Sequence, residues 1–393
     1  MARRSNRDSG GEAPVRYRSV NALQQALATE VFSYATDAYK AAGRALGTLV
    51  ELTTFYTLCA WNLRDHTMIE RSVPEFGNDA ITHNVEFSLH PIANTGRGRI
   101  SPLVKPLTDA KIIQAMPDLS ITRRIHSQLM DTRDRLRNAC VIAETKTGRL
   151  VANVDSIGAN KCDITVAELM TKPFAIFECK RVGVEQGMNK GPQTIEKAKQ
   201  GAYVARAVSS LQKVRLRDGT FNGVLEKANQ ELYIAPYAKL LREIIDGNAE
   251  DMLSDFMLTV GVVSNHGNWF TAATQNKEMR VLAQSYDWLL FLTDDGLAQF
   301  IEKLILRPAK ELAPARDAFL ASYSGRSGSN RFTKVKIDVA ADQSLRAYFT
   351  EHEDEIESWF NVITPENKTI TALRTDLRRL AAKDWARIHR NDA

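Results

Sequence analysis

The chain has 393 residues, 44% hydrophobic and 25% charged, with a net charge of +5 that is too small to identify a partner. This composition is ordinary for a folded protein, and the length allows a sizeable core in one large or two domains. No apolar run approaches the roughly 18 residues of a membrane-spanning helix. The N-terminus lacks the apolar stretch of a secretory signal, and the four cysteines have neither zinc nor disulfide spacing. We therefore expect a cytoplasmic protein with reduced thiols and no membrane partner.

The first third of the chain is predicted to be a tail followed by helices. Residues 1–18 are rich in Arg, Ser, Asn and Gly and are expected to form a disordered basic tail. Residues 19–139 are expected to be mostly helical, because apolar side chains recur at steps of three and four between about 21 and 63. A strand over 84–89 and a helix on each side of Pro117 complete this region.

The pattern changes at Cys140, where short apolar runs separated by turn residues predict strands. The region 140–295 is expected to be the α/β core of the protein, and 296–393 a helical C-terminal region. Within the core, strands are predicted over 140–144, 150–155, 162–167, 174–180, 257–263 and 287–292, and a helix from about 193 to 213. The expected fold class is α/β, a mixed central sheet of about five strands flanked by helices, with large helical N- and C-terminal regions.

Three charged side chains on two of these strands form a candidate catalytic site. Glu178 and Lys180 lie two residues apart after an apolar run, so they point to the same face of their strand. If the preceding strand pairs with it as a hairpin, Asp163 lies beside Glu178. Two carboxylates and one ammonium suit Mg²⁺ and a phosphodiester substrate. Alone, Glu-x-Lys is usually a solvated pair, and Asp155, near another strand end, is the alternative first acid.

A basic segment surrounds and follows the motif. Between Lys172 and Arg217 there are ten Lys and Arg against three Asp and Glu, a net charge of +7, while the rest of the chain is about neutral. Lysine and arginine can replace the counterions of DNA, so this segment is a candidate DNA-binding surface. Lys190, Lys197 and Arg206 are its candidate phosphate contacts, and a solvated basic helix is the alternative.

The pattern Asp163…Glu178-Cys179-Lys180, followed by a helix carrying Gln200, resembles the PD-(D/E)XK nuclease superfamily and, within it, the type II restriction endonucleases. The resemblance covers about residues 140 to 295, although a cysteine replaces the proline that often precedes the first acid. It implies that Asp163 and Glu178 bind Mg²⁺, with the backbone carbonyl of Cys179 as a further ligand. Lys180 would serve the attacking water, and Gln200 would lie near the site.

The resemblance also implies a further ligand and a biological setting. Many such nucleases use a glutamate from an early helix; Glu51, one turn after Gly47, is the best match, and a surface glutamate is the alternative. The implied activity is sequence-specific cleavage of double-stranded DNA by a homodimer or higher homo-oligomer, beside a cognate DNA methyltransferase. A repair or junction-processing nuclease of the same superfamily and a non-catalytic DNA-binding protein are the alternatives. A weaker cluster, Asn84 and Glu86 with the nearby His83 and His90, is interpreted as structural.

Overall fold

The computed structural model of the protein describes residues 20–73, 84–182, 203–208, 210–227, 229–265, 270–275, 277–323 and 331–389. The strands are β1 (Thr67–Arg71), β2 (Val85–Leu89), β3 (Ile92–Ile100), β4 (Leu107–Thr108), β5 (Arg123–Arg124), β6 (Gln128–Met130), β7 (Arg135–Arg137), β8 (Cys140–Glu144), β9 (Gly148–Ile157), β10 (Cys162–Met170), β11 (Ala175–Val182), β12 (Leu211–Arg215), β13 (Phe221–Glu226), β14 (Leu232–Pro236), β15 (Leu258–Asn265), β16 (Trp288–Leu292), β17 (Lys336–Asp338) and β18 (Phe360–Thr364).

The helices are distributed along the whole described chain. They are α1 (Val20–Glu30), α2 (Ala38–Ala60), α3 (Asp109–Ala115), α4 (203–208), α5 (Tyr237–Asp246), α6 (Glu250–Leu253), α7 (Lys277–Ser285), α8 (Asp294–Ile301), α9 (Ala313–Tyr323), α10 (Val339–Glu351), α11 (Glu353–Glu357), α12 (Ile370–Ala381) and α13 (Trp385–Ile388). Within the described ranges, no helix combines the length and the hydropathy needed to cross a membrane.

A six-stranded mixed sheet, in the order β1-β2-β11-β15-β16-β18, forms the central layer. β2 is antiparallel to both β1 and β11, whereas β15 is parallel to β11 and β16. Every residue of β16 is buried, as expected for a strand covered on both faces. β11 therefore lies in the interior of the sheet, with one antiparallel and one parallel neighbour.

Helices cover both faces of this sheet. On one face, the Cys179 thiol of β11 donates a hydrogen bond to the Thr54 hydroxyl of α2, with 3.4 Å between sulfur and oxygen. On β11, Ile176 is three residues from Cys179 and so points to the opposite face. There it packs with Val204 and Val208 of α4. The prediction of an α/β fold with helices on both sides of a mixed sheet is confirmed.

A second sheet is formed by strands that lie between β2 and β11 in the chain, whereas β4, β6 and β7 of the same segment join β17 in a separate four-stranded sheet. The five strands of the second sheet have the order β3-β10-β9-β8-β5 and are antiparallel. The first and last strands of this excursion, β3 and β10, are paired with each other, and the Met170 amide donates to the Pro91 carbonyl at 2.9 Å. The excursion therefore returns to the point where it left the central sheet.

The element boundaries agree with the sequence pattern in some regions and not in others. The seven strands predicted between 84 and 292 are present as β2, β8, β9, β10, β11, β15 and β16. Residues 64–139 contain seven strands, so the expectation that 19–139 is mostly helical does not hold beyond α2. The helix predicted to reach residue 213 ends earlier, because β12 begins at Leu211. The limits 140–295 do not enclose the central sheet either, since β1, β2 and β18 lie outside them and β8, β9 and β10 belong to the second sheet.

Candidate active site

The hairpin expected between the strands of Asp163 and Glu178 does not form. β10 carries Asp163 and pairs with β3 and β9, whereas β11 carries Glu178 and pairs with β2 and β15. The short connection 171–174 passes from one sheet to the other. The Asp163 carboxylate accepts hydrogen bonds from Arg99 Nε at 2.6 Å and Ser156 Oγ at 2.8 Å, and these bonds lower its pKa. Asp163 is thus part of an ion pair on the second sheet, and the argument that it lies beside Glu178 is wrong.

The alternative first acid, Asp155, also belongs to the second sheet. It lies on β9, where one carboxylate oxygen pairs with the Arg64 guanidinium and the other accepts a hydrogen bond from Thr165 Oγ1 at 2.7 Å. β9 has no ladder with β11. Neither aspartate is therefore placed on a strand next to the Glu-x-Lys motif.

Glu178 and Lys180 do share a side of β11, as the two-residue period predicts. Lys180 Nζ lies 3.4 Å from Glu178 Oε2. Glu178 is only 2% exposed, and neither of its carboxylate oxygens has a hydrogen-bond partner among the described residues. Burial raises the pKa of Glu178 to about 7, although the positive charge of Lys180 acts in the opposite direction. Lys180 offsets part of the free-energy cost of burying this carboxylate, and a bound proton or a further cation would offset the rest.

A glycine on the next strand explains how Glu178 becomes so deeply buried. Gly261 of β15 is the ladder partner of Glu178, so a side chain there would point to the same face. A Cβ on Gly261 would come within 2.8 Å of the Tyr286 ring. The missing side chain thus leaves room for this buried ring beside Glu178. In agreement, burial and the negative charge of Glu178 both raise the pKa of Tyr286.

A second carboxylate comes from β2, the other neighbour of β11. The antiparallel ladder between β2 and β11 runs from Ala175 opposite Leu89 to Phe177 opposite Phe87, so Glu86 and Glu178 are the residues next to its last pair. Glu86 is 8% exposed. The sequence signal for this acid was one charged residue in the otherwise uncharged strand Val85–Leu89, every residue of which is buried.

Glu86 is one of four side chains that form a compact charged group: Lys334, Glu51, Glu70 and Glu86. We call this group the Lys334 cluster. Lys334 is 5% exposed. Its ammonium nitrogen lies 3.1 Å from Glu51 Oε2 and 3.0 Å from Glu70 Oε1, and it contacts Glu86 Oε1. The three carboxylates come from three elements, α2, β1 and β2. Glu51, expected at the site from the resemblance, is therefore linked to Glu86 through Lys334.

The other residues singled out from the sequence have simpler surroundings. The Cys179 thiol faces α2, and burial raises its pKa, so a role in metal binding would be limited to its backbone carbonyl. Arg206 is exposed on α4. Gln200, Lys190, Lys197 and the tail 1–18 lie outside the described residues.

His90 has the structural role expected for it. One ring nitrogen lies 2.8 Å from Ser88 Oγ of β2, and the other lies 2.8 Å from the Met170 carbonyl oxygen of β10. Burial lowers the pKa of His90 to about 3. The neutral ring therefore joins the central sheet to the second sheet rather than contributing to a charged site.

The part of the chain that the structure describes contains no group of three acidic, histidine or cysteine side chains already arranged to hold a metal ion. In the Lys334 cluster the ammonium of Lys334 lies between the carboxylates. No family model, curated protein or solved structure matches the chain. The chemistry of the site must therefore be inferred from its geometry.

Proposed function

We propose that the protein is a Mg²⁺-dependent endonuclease that hydrolyses phosphodiester bonds in double-stranded DNA at a specific sequence, as type II restriction endonucleases do. The observation that carries the proposal is the Glu178 carboxylate, buried without a hydrogen-bond partner among the described residues, next to Lys180 and on the strand beside Glu86. A divalent cation would offset the free-energy cost of burying this carboxylate. Mg²⁺ prefers oxygen ligands and commonly takes one or two carboxylates together with phosphate.

The resemblance to the PD-(D/E)XK superfamily supports the proposal with one change in the acids. Glu86 replaces Asp163 as the acid that accompanies Glu178 and Lys180. The resemblance calls for two adjacent strands that carry the acids, and the sequence suggested the two strands within 162–180. The adjacent strands are instead β2 and β11, and the chain that connects them includes the strands of the second sheet. After β11 the chain passes through α4 before the parallel strand β15, which agrees with a helix following the motif.

Each residue of the proposed centre has a distinct task. Glu86 and Glu178 would hold the metal ion, and Glu51 is the next carboxylate within reach of Glu86. When bound, Mg²⁺ would offset negative charge on the phosphate and lower the pKa of a bound water. The Lys180 side chain is 31% exposed, so its ammonium lies between the buried Glu178 and solvent. There it would donate hydrogen bonds to the scissile phosphate and orient the attacking water.

The finer parts of the proposal come from the resemblance alone. A homodimer would match a palindromic site and supply one active site for each strand. A cognate DNA methyltransferase would protect the host sequence. These features would distinguish a restriction enzyme from a repair nuclease with the same catalytic residues.

Digestion of phage and plasmid DNA tests the proposed function. Purified protein is incubated with each DNA in Mg²⁺, Ca²⁺ or a chelator, and the ends of the products are sequenced. We expect discrete fragments with a common end sequence in Mg²⁺, and binding without cleavage in Ca²⁺, which tolerates looser geometry. Cleavage at branched or damaged sites alone would identify a repair enzyme. Binding without cleavage in every metal would identify a non-catalytic DNA-binding protein.

Arg206 provides a prediction about DNA binding. Its exposed guanidinium lies on α4, the helix that packs with Ile176 on one face of β11. If it neutralises one phosphate, Arg206→Ala should reduce the slope of log affinity against log salt by about 0.9 and weaken binding to all sequences alike. Fluorescence anisotropy in the Lys180→Ala background measures binding without cleavage.

Lys239 supplies the control for this measurement. It is exposed on α5, where its ammonium forms an ion pair with Glu243 at 3.5 Å. Lys239→Ala removes one positive charge from a different helix and is expected to leave the salt slope unchanged. Equal slopes for the Arg206 variant, the Lys239 variant and the parent would show that α4 does not contact the DNA backbone.

A further inference from the structure

The Lys334 cluster has an excess of negative charge around one buried cation. Three carboxylates contact a single ammonium, which leaves a net charge of about −2 when all four groups are ionised. An ammonium has three hydrogen-bond donors and no acceptor, so one N–H is available for each carboxylate. Lys334 therefore neutralises part of the negative charge of these three carboxylates, which would otherwise need another cation.

The backbone of Lys334 is held in place independently of its side chain. It lies in a tight turn in which the Thr333 amide donates to the Lys336 carbonyl at 2.8 Å. The Lys334 carbonyl accepts a hydrogen bond from Asn138 Nδ2 at 3.0 Å. Two residues before Lys334, the Phe332 ring is fully buried against Phe319. The ammonium can therefore leave the carboxylates by rotation of the flexible side chain while the turn stays fixed.

The position of the cluster connects it to the proposed catalytic centre. Glu86 belongs to the Lys334 cluster, and it is also the acid that the proposed function assigns to the metal ion. Lys334 contacts the Glu86 carboxylate, so a metal ion bound by the same carboxylate would lie close to the ammonium. The two cations would also repel each other strongly at such short range. Occupation by one therefore opposes occupation by the other.

We infer that the Lys334 ammonium is an internal competitor of the catalytic metal ion: it neutralises Glu51, Glu70 and Glu86 in the metal-free protein and must withdraw when the metal binds. This inference depends on the proposed function, because it assigns Glu86 to the metal site. It makes metal binding an exchange of one cation for another. The carboxylates keep a counterion in both states, so the metal-free protein folds with its acidic residues already assembled.

Binding of Mn²⁺ to a Lys334→Met variant tests the inference. Mn²⁺ takes the same carboxylate ligands as Mg²⁺ and is detected by electron paramagnetic resonance. Removing the competitor should tighten Mn²⁺ binding by about tenfold or more, and Mn²⁺ should raise the melting temperature of the variant more than that of the parent. Lys336→Met is the matched control, since Lys336 is exposed two residues further along the same turn. It should leave Mn²⁺ affinity unchanged.

A second measurement uses the unaltered protein and so remains informative if Lys334→Met does not fold. Lysines are acetylated briefly with and without Mn²⁺, and the modified positions are quantified by mass spectrometry. Lys334 should be protected without metal and become reactive when Mn²⁺ binds, while Lys336 reacts equally in both states. Protection of Lys334 in both states, with Mn²⁺ bound, would overturn the inference and leave the proposed function intact.

The remaining outcomes separate the two proposals. Mn²⁺ binding to Lys334→Met but not to the parent would support competition by the lysine but contradict metal-dependent cleavage by the parent protein. Weaker or equal Mn²⁺ binding by a folded Lys334→Met would show that the lysine assists or ignores the metal, which overturns the inference. Absence of Mn²⁺ binding to the parent and to a folded variant would overturn both the competitor and the metal-dependent function.

Discussion

Glu178→Gln is expected to abolish Mg²⁺-dependent cleavage and, at the same time, to stabilise the metal-free protein above pH 7. Cleavage should fall more than about 100-fold, because loss of even an outer-shell partner reduces metal affinity or activity by roughly 10- to 100-fold. Glutamine keeps the shape of the side chain but has no charge to bury. The residue that the proposed chemistry needs is therefore one that destabilises the fold when no metal is bound.

The stability change should depend on pH in a defined direction. The pKa of Glu178 is about 7 in the folded protein against an ordinary value of 4.5, so the folded state holds this proton more tightly than the unfolded state. Stability of the parent protein should therefore fall as the pH rises from about 4.5 to about 7. The difference between these pKa values corresponds to on the order of 3 kcal/mol. Glu178→Gln should gain this amount at pH 8 and show little difference near pH 4.5.

Urea unfolding of the metal-free proteins at pH 5 and pH 8, together with single-turnover cleavage, measures both effects. Glu231→Gln, at an exposed position before β14, controls for the loss of one negative charge at the surface. The interpretation of Glu178 would be wrong if its glutamine variant cleaved DNA at the parental rate. An unchanged free energy of unfolding at pH 8 would show that the carboxylate already has a partner in solution.

Glu86→Gln and Asp163→Asn should have opposite consequences. Glu86 lies on the strand beside Glu178, so its glutamine variant should lose metal-dependent cleavage by more than about 100-fold. Asp163 lies in the second sheet, where its carboxylate pairs with an exposed arginine. Pairs of this kind contribute little to stability, so Asp163→Asn should cleave within a few-fold of the parent rate and melt at nearly the same temperature.

The two variants are compared by cleavage, by Mn²⁺ binding and by thermal melting. Melting is needed because Glu86 also contacts Lys334, and a destabilised variant could lose activity by unfolding. A folded Glu86→Gln that retains Mn²⁺ binding and cleavage, beside an inactive Asp163→Asn, would return the role of first acid to Asp163. The second sheet would then have to contribute a ligand to the site.

Several elements were predictable because their patterns are local. The strand over 140–144 has the same limits in the structure as in the prediction, since turn residues bound a short apolar run. The shared side of Glu178 and Lys180 follows from the alternation of a single strand. β1 was missed because Thr67–Arg71 is short and ends in two charged residues, which makes it resemble a loop.

The partner of β11 was not predictable from these patterns. Strands that follow each other closely usually pair, which favoured a hairpin of β10 with β11. In the structure, the connection 171–174 leads out of one sheet and into another, because β10 already has partners on both sides. The antiparallel neighbour of β11 is β2, which begins at Val85, 90 residues before Ala175 in the chain. No period or spacing relates two residues so far apart, although a buried charge within an apolar strand is itself a signal.

The paired ends of the excursion between β2 and β11 have a consequence for the order of folding. The ladder between these strands joins Leu89 to Ala175, residues 86 apart, and contacts of such long range slow folding because the intervening loop must first be closed. Once β3 has paired with β10, only two residues separate β2 from β3 and only four separate β10 from β11. The loop that must still be closed to pair β2 with β11 is then short. We therefore expect the neighbouring hairpins of the second sheet to form first and then bring β11 to β2. Substitutions that weaken the β9–β10 hairpin should delay the appearance of the proposed nuclease activity during refolding, although neither strand belongs to the central sheet that carries Glu178.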